Sequence, residues 1–343
     1  MKKVWYILVL FLFTLSCIDP FPLQTGNQSD NLVVDGLVTN RADQSVVRLS
    51  RSLSFDNTQL VAGYIVPERD ATVILKNDLG EEEILAEAEP GVYKPLPGFS
   101  GTVGTSYSIY IQTSDGKQYQ SFTETMPDVP AIGGLLYEYY SYEELIKNIS
   151  GNWVAERRFG FRIMVQVDDP DDERNYYRWK ARGIFEFFSF VGETFLQCWA
   201  PVARLESTVQ VMDDAYTNGN TFIEAIAVIP YDRPTYYQVT VQQQALTREA
   251  FEFWSKVKDQ QTNTGSIFDP IPSQIKGNIY NIDDPDEIVL GFFGASSMVE
   301  ETVLINRFPA SGFVSPSPNI LPQEGNCLDH EPNATNIKPP GFP

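Results

Sequence analysis

The segment at residues 107–123, YSIYIQTSDGKQYQSFT, decides the fold because it contains two alternating runs joined by a turn. Apolar or aromatic side chains recur at every second position of residues 107–111, as on a strand with one buried face, and residues 119–123 have the composition of a second strand. The dipeptide Asp115-Gly116 between the two runs suits the positive φ angles of a tight hairpin turn. This segment therefore predicts an antiparallel β-hairpin.

The same pattern extends toward the N-terminus. Residues 32–38 and 71–75 are also strand-like, and residues 77–80 have the composition of a second hairpin turn. Short strands at this spacing, with no helical periodicity between them, predict an immunoglobulin-like β-sandwich over residues 31–126. The proline-containing sequence at 126–130 then interrupts the pattern and indicates a domain boundary.

Residues 127–308 are predicted to form a larger β-rich domain. Residues 159–167 and 176–190 are rich in aromatic and aliphatic residues, and we expect them to pair with each other as two long strands. Further strands are expected at residues 222–229, 236–241, 288–293 and 302–305. The fold is therefore predicted to be mainly β.

Helical spacing is clearest near residues 247–260. Five apolar side chains fall on one helix face there, and Thr247 is a suitable N-cap. The β-rich domain is therefore expected to contain at least one packed α-helix. A second, weaker helix is expected from Ser141, because Glu144 completes a capping box. The tail at residues 309–343 is rich in Pro, Gly, Ser and Asn, and is expected to be irregular.

The first sixteen residues have the layout of a signal peptide: two lysines, an apolar run at residues 4–13 and small residues before Cys17. The run is shorter than the roughly 20 residues that a membrane-spanning helix needs. The sequence TLSC at 14–17 is typical of a lipoprotein processing site, so Cys17 is expected to receive acyl chains such as palmitate. Residues 17–30 would then be a lipidated tether. The alternative is an ordinary signal peptide with an incidental cysteine.

Composition limits the partners and the compartment. The net charge of −20 argues against nucleic acid as a partner, because phosphate binding needs a basic surface. With Cys17 lipidated, Cys198 and Cys327 remain as an even pair in an exported protein, which allows a disulfide. The sequence leaves open whether the two cysteines meet.

Two acidic clusters join predicted strands, and both are weak candidates for calcium binding. The favoured alternative is that they form solvated turns, because the spacing of an EF-hand loop is missing. The candidate ligands are Asp168, Asp169, Asp171 and Asp172 in the first cluster, and Asp283, Asp284 and Asp286 in the second.

Catalytic chemistry has little support in the residue types. The single histidine, His330, lies in the predicted tail and is expected to be a surface residue rather than a general base. Tryptophans such as Trp179 and Trp199 could stack on sugars, although strand and core positions explain them more simply. A carboxylate-dependent hydrolase needs only two suitably spaced acids, but nothing selects a pair among the 45 acidic residues.

Eight short blocks, in order along nearly the whole mature chain, resemble an uncharacterised family of Bacteroidota outer-membrane lipoproteins. They lie at residues 91–93, 104–107, 115–119, 126–127, 175–178, 265–270, 277–279 and 290–293. None is a catalytic motif. The resemblance implies an outer-membrane location, on either face, and an accessory role beside a TonB-dependent receptor.

The leading hypothesis is a non-enzymatic lipoprotein, without a cofactor, that binds a protein partner. By the resemblance, that partner is a TonB-dependent outer-membrane transporter, together with part of its cargo. The alternative is a surface module that binds glycans or peptides. A hydrolase is the third hypothesis.

Overall fold

The computed structural model describes residues 31–52, 65–171, 173–205, 208–262, 274–308 and 322–343. The predicted signal peptide at 1–16, Cys17 and the tether at 17–30 lie outside the described residues. Asp172 and residues 309–321 of the predicted tail also lie outside them.

Strands dominate the described residues, which confirms the prediction of a mainly β fold with a packed helix. The first nine strands are β1 (Leu32–Thr39), β2 (Val46–Arg51), β3 (Val66–Pro67), β4 (Thr72–Asn77), β5 (Glu82–Glu89), β6 (Val92–Lys94), β7 (Ser106–Gln112), β8 (Gln118–Ser121) and β9 (Glu124–Thr125). The next seven are β10 (Ile132–Lys147), β11 (Trp153–Asp168), β12 (Tyr176–Val191), β13 (Thr194–Val202), β14 (Gln210–Asp213), β15 (Thr221–Pro230) and β16 (Tyr236–Ala245). Then come α1 (Arg248–Thr262), β17 (Ile279–Asn281), β18 (Leu290–Ser296), β19 (Met298–Asn306), β20 (Gln323–Glu324) and α2 (Cys327–His330).

The first sheet has the order β17-β8-β7-β4-β5-β6-β2-β1-β18, with β3 on β2 and β9 on β7. Strand β5 belongs to both halves of it, because its first residues pair with β4 and its last residues pair with β6. The alternating apolar side chains of both halves form one core, which includes Val34, Val73, Ile109 and Tyr119. The predicted hairpin at 107–123 is present as β7 and β8, which pair antiparallel.

Two strands of this first sheet come from much later in the chain. Strand β17 pairs with β8, and β18 pairs parallel with β1, although both lie within the 127–308 range predicted to be the second domain. The predicted boundary near residue 126 therefore does not separate the first sheet from the later part of the chain. The physical reason is packing, since Phe293 and Ala295 of β18 are buried in the first core.

The second core lies between two further sheets. A three-stranded sheet, β10-β11-β15, packs on a sheet in the order β13-β12-β16-β19, to which β14 and β20 add beside β12. The expected pairing of β11 with β12 is wrong, because they belong to different sheets. Each strand instead buries one face in the shared core, as Ile163 and Val165 do from β11 and Trp179 does from β12. The acidic segment after Asp168 thus crosses from one sheet to the other.

The predicted helix near 247–260 is confirmed as α1. The Thr247 hydroxyl accepts a hydrogen bond from the Ala250 N–H at 3.1 Å, which caps the first turn. Ala250 and Phe253 are buried, and the Phe253 ring stacks on Phe292 of β18 with centroids 4.9 Å apart. This helix therefore packs against the end of the first sheet. None of the helices in the described ranges is long and apolar enough to span a membrane.

Two other expectations fail. The weak helix expected from Ser141 is part of strand β10, because cross-strand pairing with β11 runs through Ser141 and overrides the local capping signal. The tail expected to be irregular contains β20 and α2 within residues 322–343. There Asn326 and Asp329 form a capping box, and Cys327 is joined to Cys198 of β13 by a disulfide with Cα atoms 5.6 Å apart.

Candidate functional site

The strongest candidate site is a projecting β-hairpin, residues 141–159, which we call the arm. It is the outer part of β10 and β11, beyond Gly160, where the pairing of β11 with β15 ends at Pro230. From there outward the two strands pair only with each other as far as Lys147 and Trp153. The arm is therefore a two-stranded ribbon that extends past the edge of the second core.

An aromatic cluster fixes the base of the arm. The Tyr139 ring stacks on Phe159 with centroids 5.8 Å apart and meets Phe161 and Tyr231 edge to face. The Tyr231 N–H also donates to the Phe159 carbonyl at 2.9 Å. Offset and edge-to-face aromatic pairs stabilise beyond the area that they bury. The arm thus leaves the body from a firmly packed root.

The face of the arm that is continuous with the core carries both charged and apolar side chains. Side chains at alternate positions share a face, so the root is followed outward by pairs with polar and charged residues at 141/159 and 143/157, and then by Leu145 opposite Ala155. The side chains at the outer end are strongly exposed: Leu145 at 68%, Trp153 at 69% and Ile149 at 109%. Clustered exposed apolar side chains mark interaction sites more often than scattered ones do.

A short turn presents these side chains. Asn148 and Asn152 close it, since the Asn148 N–H donates to the Asn152 carbonyl and the Asn152 N–H donates to the Asn148 side chain, both at 2.9 Å. Gly151 has a φ of 81°, which a residue with a side chain adopts only at a cost. The turn is therefore well defined, and Ile149 lies at its tip.

The arm is electrically neutral on a strongly acidic chain. Within residues 141–159, three acidic and three basic residues cancel, whereas the whole chain has a net charge of −20. Arg158 lies 3.1 Å from Glu144 and 3.2 Å from Glu156, so much of this charge is paired inside the arm. Such exposed pairs add little stability, but they leave the arm free of the repulsion that the rest of the surface exerts on acidic partners.

The first acidic cluster is a structured crossing between sheets. Asp168 accepts a hydrogen bond from the Thr221 hydroxyl at 2.6 Å. Asp169 is buried, and it accepts hydrogen bonds from the Tyr177 hydroxyl and the Gly219 N–H. Burial raises the pKa of Asp169, and the nearby Asp214 carboxyl raises it further.

Asp214 and Asp169 are both at most 8% exposed, so a substrate cannot reach between them. The pair therefore does not provide the accessible carboxylates of a hydrolase. Asp171 lies beside Gly219 at the surface.

The second acidic cluster forms a tight turn between β17 and β18. The Asn281 side-chain oxygen accepts the N–H groups of Asp283 and Asp284 at 2.8 and 3.1 Å. The Asp284 carboxylate in turn accepts the Asp286 N–H at 3.2 Å. Among the residues described, no group of three or more His, Cys, Asp or Glu side chains is arranged to hold a metal ion. The turn interpretation explains the contacts that these carboxylates make.

A charged cavity of about 730 Å³ lies beside this turn. Asn31, at the start of the first sheet, also lines it. The Arg51 guanidinium lies 2.6 Å from Glu68, and the Lys117 ammonium lies 3.0 Å from Glu287. The Glu287 carboxylate also accepts the Tyr119 hydroxyl at 2.9 Å. Beyond these two ion pairs the lining also contains Asp115, Asp284 and Asp286, so the net charge of the cavity wall is negative.

His330 is not a free surface residue. It is partly buried, its Nε2 lies 3.0 Å from the Ser189 Oγ, and its ring meets Phe187 edge to face. The Ser189 hydroxyl donates its proton to the Gly325 carbonyl, so the histidine must donate to the serine oxygen. That direction is opposite to the one that a general base needs, and Ser189 is fully buried.

The two tryptophans considered for sugar stacking are core residues. Trp179 is 1% exposed and donates to the Gln243 side chain at 2.9 Å, and Trp199 is 3% exposed. Trp153 in the arm is 69% exposed, and the arm begins at Ser141, where the sequence indicates a weak helix. The tyrosines at residues 137, 139, 140 and 142, a residue type typical of strands, are the signal that could have revealed strand β10 of the arm.

The fold and the site define a mainly β protein of two packed cores with one projecting β arm. The chain belongs to the family described as a domain of unknown function, DUF4249, whose model matches residues 18–302. The prediction of an uncharacterised family is thereby confirmed. Searches among curated proteins and among solved structures found no significant match.

Proposed function

We propose that this protein is a non-enzymatic, lipid-anchored binding protein that docks onto a protein partner through its arm. The observation that supports the proposal is the exposed apolar end of the arm, formed by Leu145, Ile149 and Trp153 on a ribbon without net charge. Trp is enriched among the residues that dominate binding energy at protein interfaces, and an exposed tryptophan next to aliphatic side chains supplies such an anchor. The acyl chains proposed on Cys17 would hold the arm close to a membrane partner.

A protein partner suits the arm better than a small ligand does. The arm is a convex projection and offers no pocket, whereas small ligands bind in concave sites. Strand β10 is the outer strand of its sheet, so backbone groups of the arm are available to pair with a strand of a partner. The finer proposal, a TonB-dependent outer-membrane transporter as partner, comes from the family resemblance.

Site-specific photo-crosslinking in membranes of the source cells tests docking through the arm. A benzophenone amino acid in place of Ile149 is expected to crosslink to one discrete protein. The matched control is the same substitution at Leu79, which is 73% exposed in a turn of the first sheet. Equal products at both positions, or none at position 149, would contradict docking through the arm. Mass spectrometry of the product decides whether the partner is an outer-membrane transporter.

A second measurement separates docking from anchoring. A Cys17→Ala variant is expected to fold but to leave the membrane fraction, whereas an Ile149→Ser/Trp153→Ser variant should remain in it and lose at least about tenfold in partner capture. Leu79→Ser is expected to change neither property. Membrane retention of Cys17→Ala would refute the anchor without affecting the arm.

A further inference from the structure

The backbone groups along the two edges of the arm can be assigned from its turn. The Asn148 N–H donates to the Asn152 carbonyl at 2.9 Å, so residues 148 and 152 form a hydrogen-bonded pair of the ribbon. Such pairs alternate along an antiparallel ladder with pairs whose N–H and C=O groups point away from the partner strand. The register is uninterrupted from this turn to the root of the arm. The backbone groups of residues 141, 143, 145 and 147 therefore point to the outer edge of β10.

A contact at the root supports this assignment. Phe159 is opposite Ser141, so the alternation directs its carbonyl away from β10. That carbonyl accepts the Tyr231 N–H, which lies on the far side of β11, where β15 ends at Pro230. The β11 edge of the arm is thus occupied at its inner end. In the part of the chain that the structure describes, β10 is the outer strand of its sheet, so its edge is the longer open one.

This β10 edge lacks the features that commonly protect edge strands, namely proline, bulges and several lysines. Residues 141–147 contain no proline, and Lys147 at the outer end is their only lysine. The pairing with β11 has no bulge over the same segment. An isolated two-stranded ribbon is also marginally stable in water, whereas a third strand makes it much more stable. The edge is therefore suited to accept a strand from another protein.

The side chains beside this edge indicate which strand fits. Glu143 and Leu145 lie on one face of β10, and both are exposed. Glu138 and Glu144 each have an arginine partner on β11, whereas Glu143 makes no ion pair with any residue that the structure describes. Opposite charges and apolar pairs stabilise neighbouring strands when they face each other. The best-matched strand has a basic residue opposite Glu143 and, two positions away, an apolar residue opposite Leu145.

A second copy of this chain fits the edge poorly. Symmetric pairing of two β10 edges centred on this segment would bring Glu143 and Glu144 of the two copies close together. Like charges that face each other across strands are destabilising. Each copy also has a net charge of −20, which adds repulsion at longer range. The charges therefore favour a different protein as the source of the strand.

We infer that the partner binds by strand addition, with one of its strands paired along residues 141–147 of β10, a basic side chain opposite Glu143 and an apolar side chain opposite Leu145. This inference rests on the proposed docking through the arm, and it specifies the edge and the chemistry of the partner's strand. In this mode, main-chain hydrogen bonds supply affinity, and the side chains at alternate positions supply specificity.

Proline substitution tests strand addition, with the yield of the product from a crosslinker at position 149 in source-cell membranes as the readout. Glu143→Pro removes an N–H of the β10 edge and should lower the yield at least about tenfold. Glu143→Ala keeps that N–H and should lower the yield only about two- to fivefold. Ala155→Pro is the matched comparison, because Ala155 is opposite Leu145 and its N–H points to the β11 edge. Its yield should stay within about twofold of the parent, with melting temperatures unchanged in all three variants.

The outcomes separate this inference from the docking that it rests on. If the parent gives no product from position 149, docking through the arm fails and strand addition fails with it. If Glu143→Pro and Ala155→Pro give equal yields, strand addition at β10 is wrong and docking through the arm stands. Sedimentation of the purified protein should show a monomer, and a dimer that Glu143→Pro dissociates would make a second copy the occupant and overturn the inference.

A mapping experiment does not depend on the folding of the proline variants. A benzophenone amino acid in place of Leu145 should crosslink to a strand of the partner, with a basic residue two positions from the site of attachment. Mass spectrometry of the digested product locates that site. Attachment to a helix, or to a strand without the basic residue, would overturn the inference.

Discussion

The free energy of unfolding should fall as the pH rises through neutrality, because the carboxyl of Glu124 is buried. This side chain on β9 is 3% exposed and joins three parts of the molecule. Its oxygens accept the Thr247 hydroxyl at the start of α1 at 2.5 Å and the Asn278 amide at 3.3 Å. Asn278 in turn bonds both the N–H and the carbonyl of Phe293 in β18.

Burial raises the pKa of Glu124 from 4.5 to about 7, and the Glu249 carboxylate adds to the rise, while the hydrogen bonds from Thr247 and Asn278 oppose it. The folded protein therefore favours the protonated carboxyl more than the unfolded chain does. This contribution to stability is fully present below pH 4.5 and is lost as the pH rises through about 7. At 1.36 kcal/mol for each pH unit between the two values, the loss is about 3 kcal/mol by pH 8.

The measurement is urea unfolding of the wild type and of Glu124→Gln from pH 4.5 to pH 8.5, at constant ionic strength. Raised pKa values at Asp169 and Glu224 change stability in the same direction in both proteins, so the difference between the proteins isolates Glu124. The wild type is expected to lose about 3 kcal/mol relative to the variant across this range. A difference that stays constant with pH would refute the reasoning.

Two further predictions concern covalent and backbone constraints. The Cys198→Ser/Cys327→Ser variant lacks the disulfide that closes a loop with a sequence separation of 129. The chain-entropy relation gives a loss of up to about 5 kcal/mol in its free energy of unfolding. A urea midpoint of the wild type that is the same with and without reductant would contradict this prediction. Gly291→Ala should destabilise by more than about 2 kcal/mol, because φ is +90° and the added Cβ would lie 1.9 Å from the Val34 carbonyl oxygen. The control is Gly80→Ala, with φ +84° and open space around it, which should cost only about 1 kcal/mol when both variants are compared by urea unfolding.

Local patterns in the sequence were enough to predict several elements. The hairpin of β7 and β8 follows from alternation around Asp115-Gly116, and the helix α1 follows from the spacing of its apolar face and the Thr247 cap. These signals involve residues close together in the chain. Their physical causes, side-chain periodicity and turn geometry, are local as well.

Long-range pairing was not predictable in the same way. Sequence adjacency favoured pairing of β11 with β12, but each strand has an apolar face that is buried by packing on the other sheet. The capping signal at Ser141 was a true local preference that lost to pairing along the whole of β10. On strand β12, the alternation of Arg178, Lys180 and Arg182 is visible in the sequence. No local pattern shows that Trp254 and Arg204 lie beside them.

The parallel pairing of β1 with β18 determines when the first core can be completed. Val33 aligns with Leu290, so the last strand of that sheet is synthesised about 250 residues after the first. Contacts of such long sequence separation form slowly, because a large loop must close before they stabilise anything. Until residue 296 has emerged, β1 has an open edge at which another chain can add. A fragment that ends near residue 126 should therefore aggregate rather than behave as an autonomous domain.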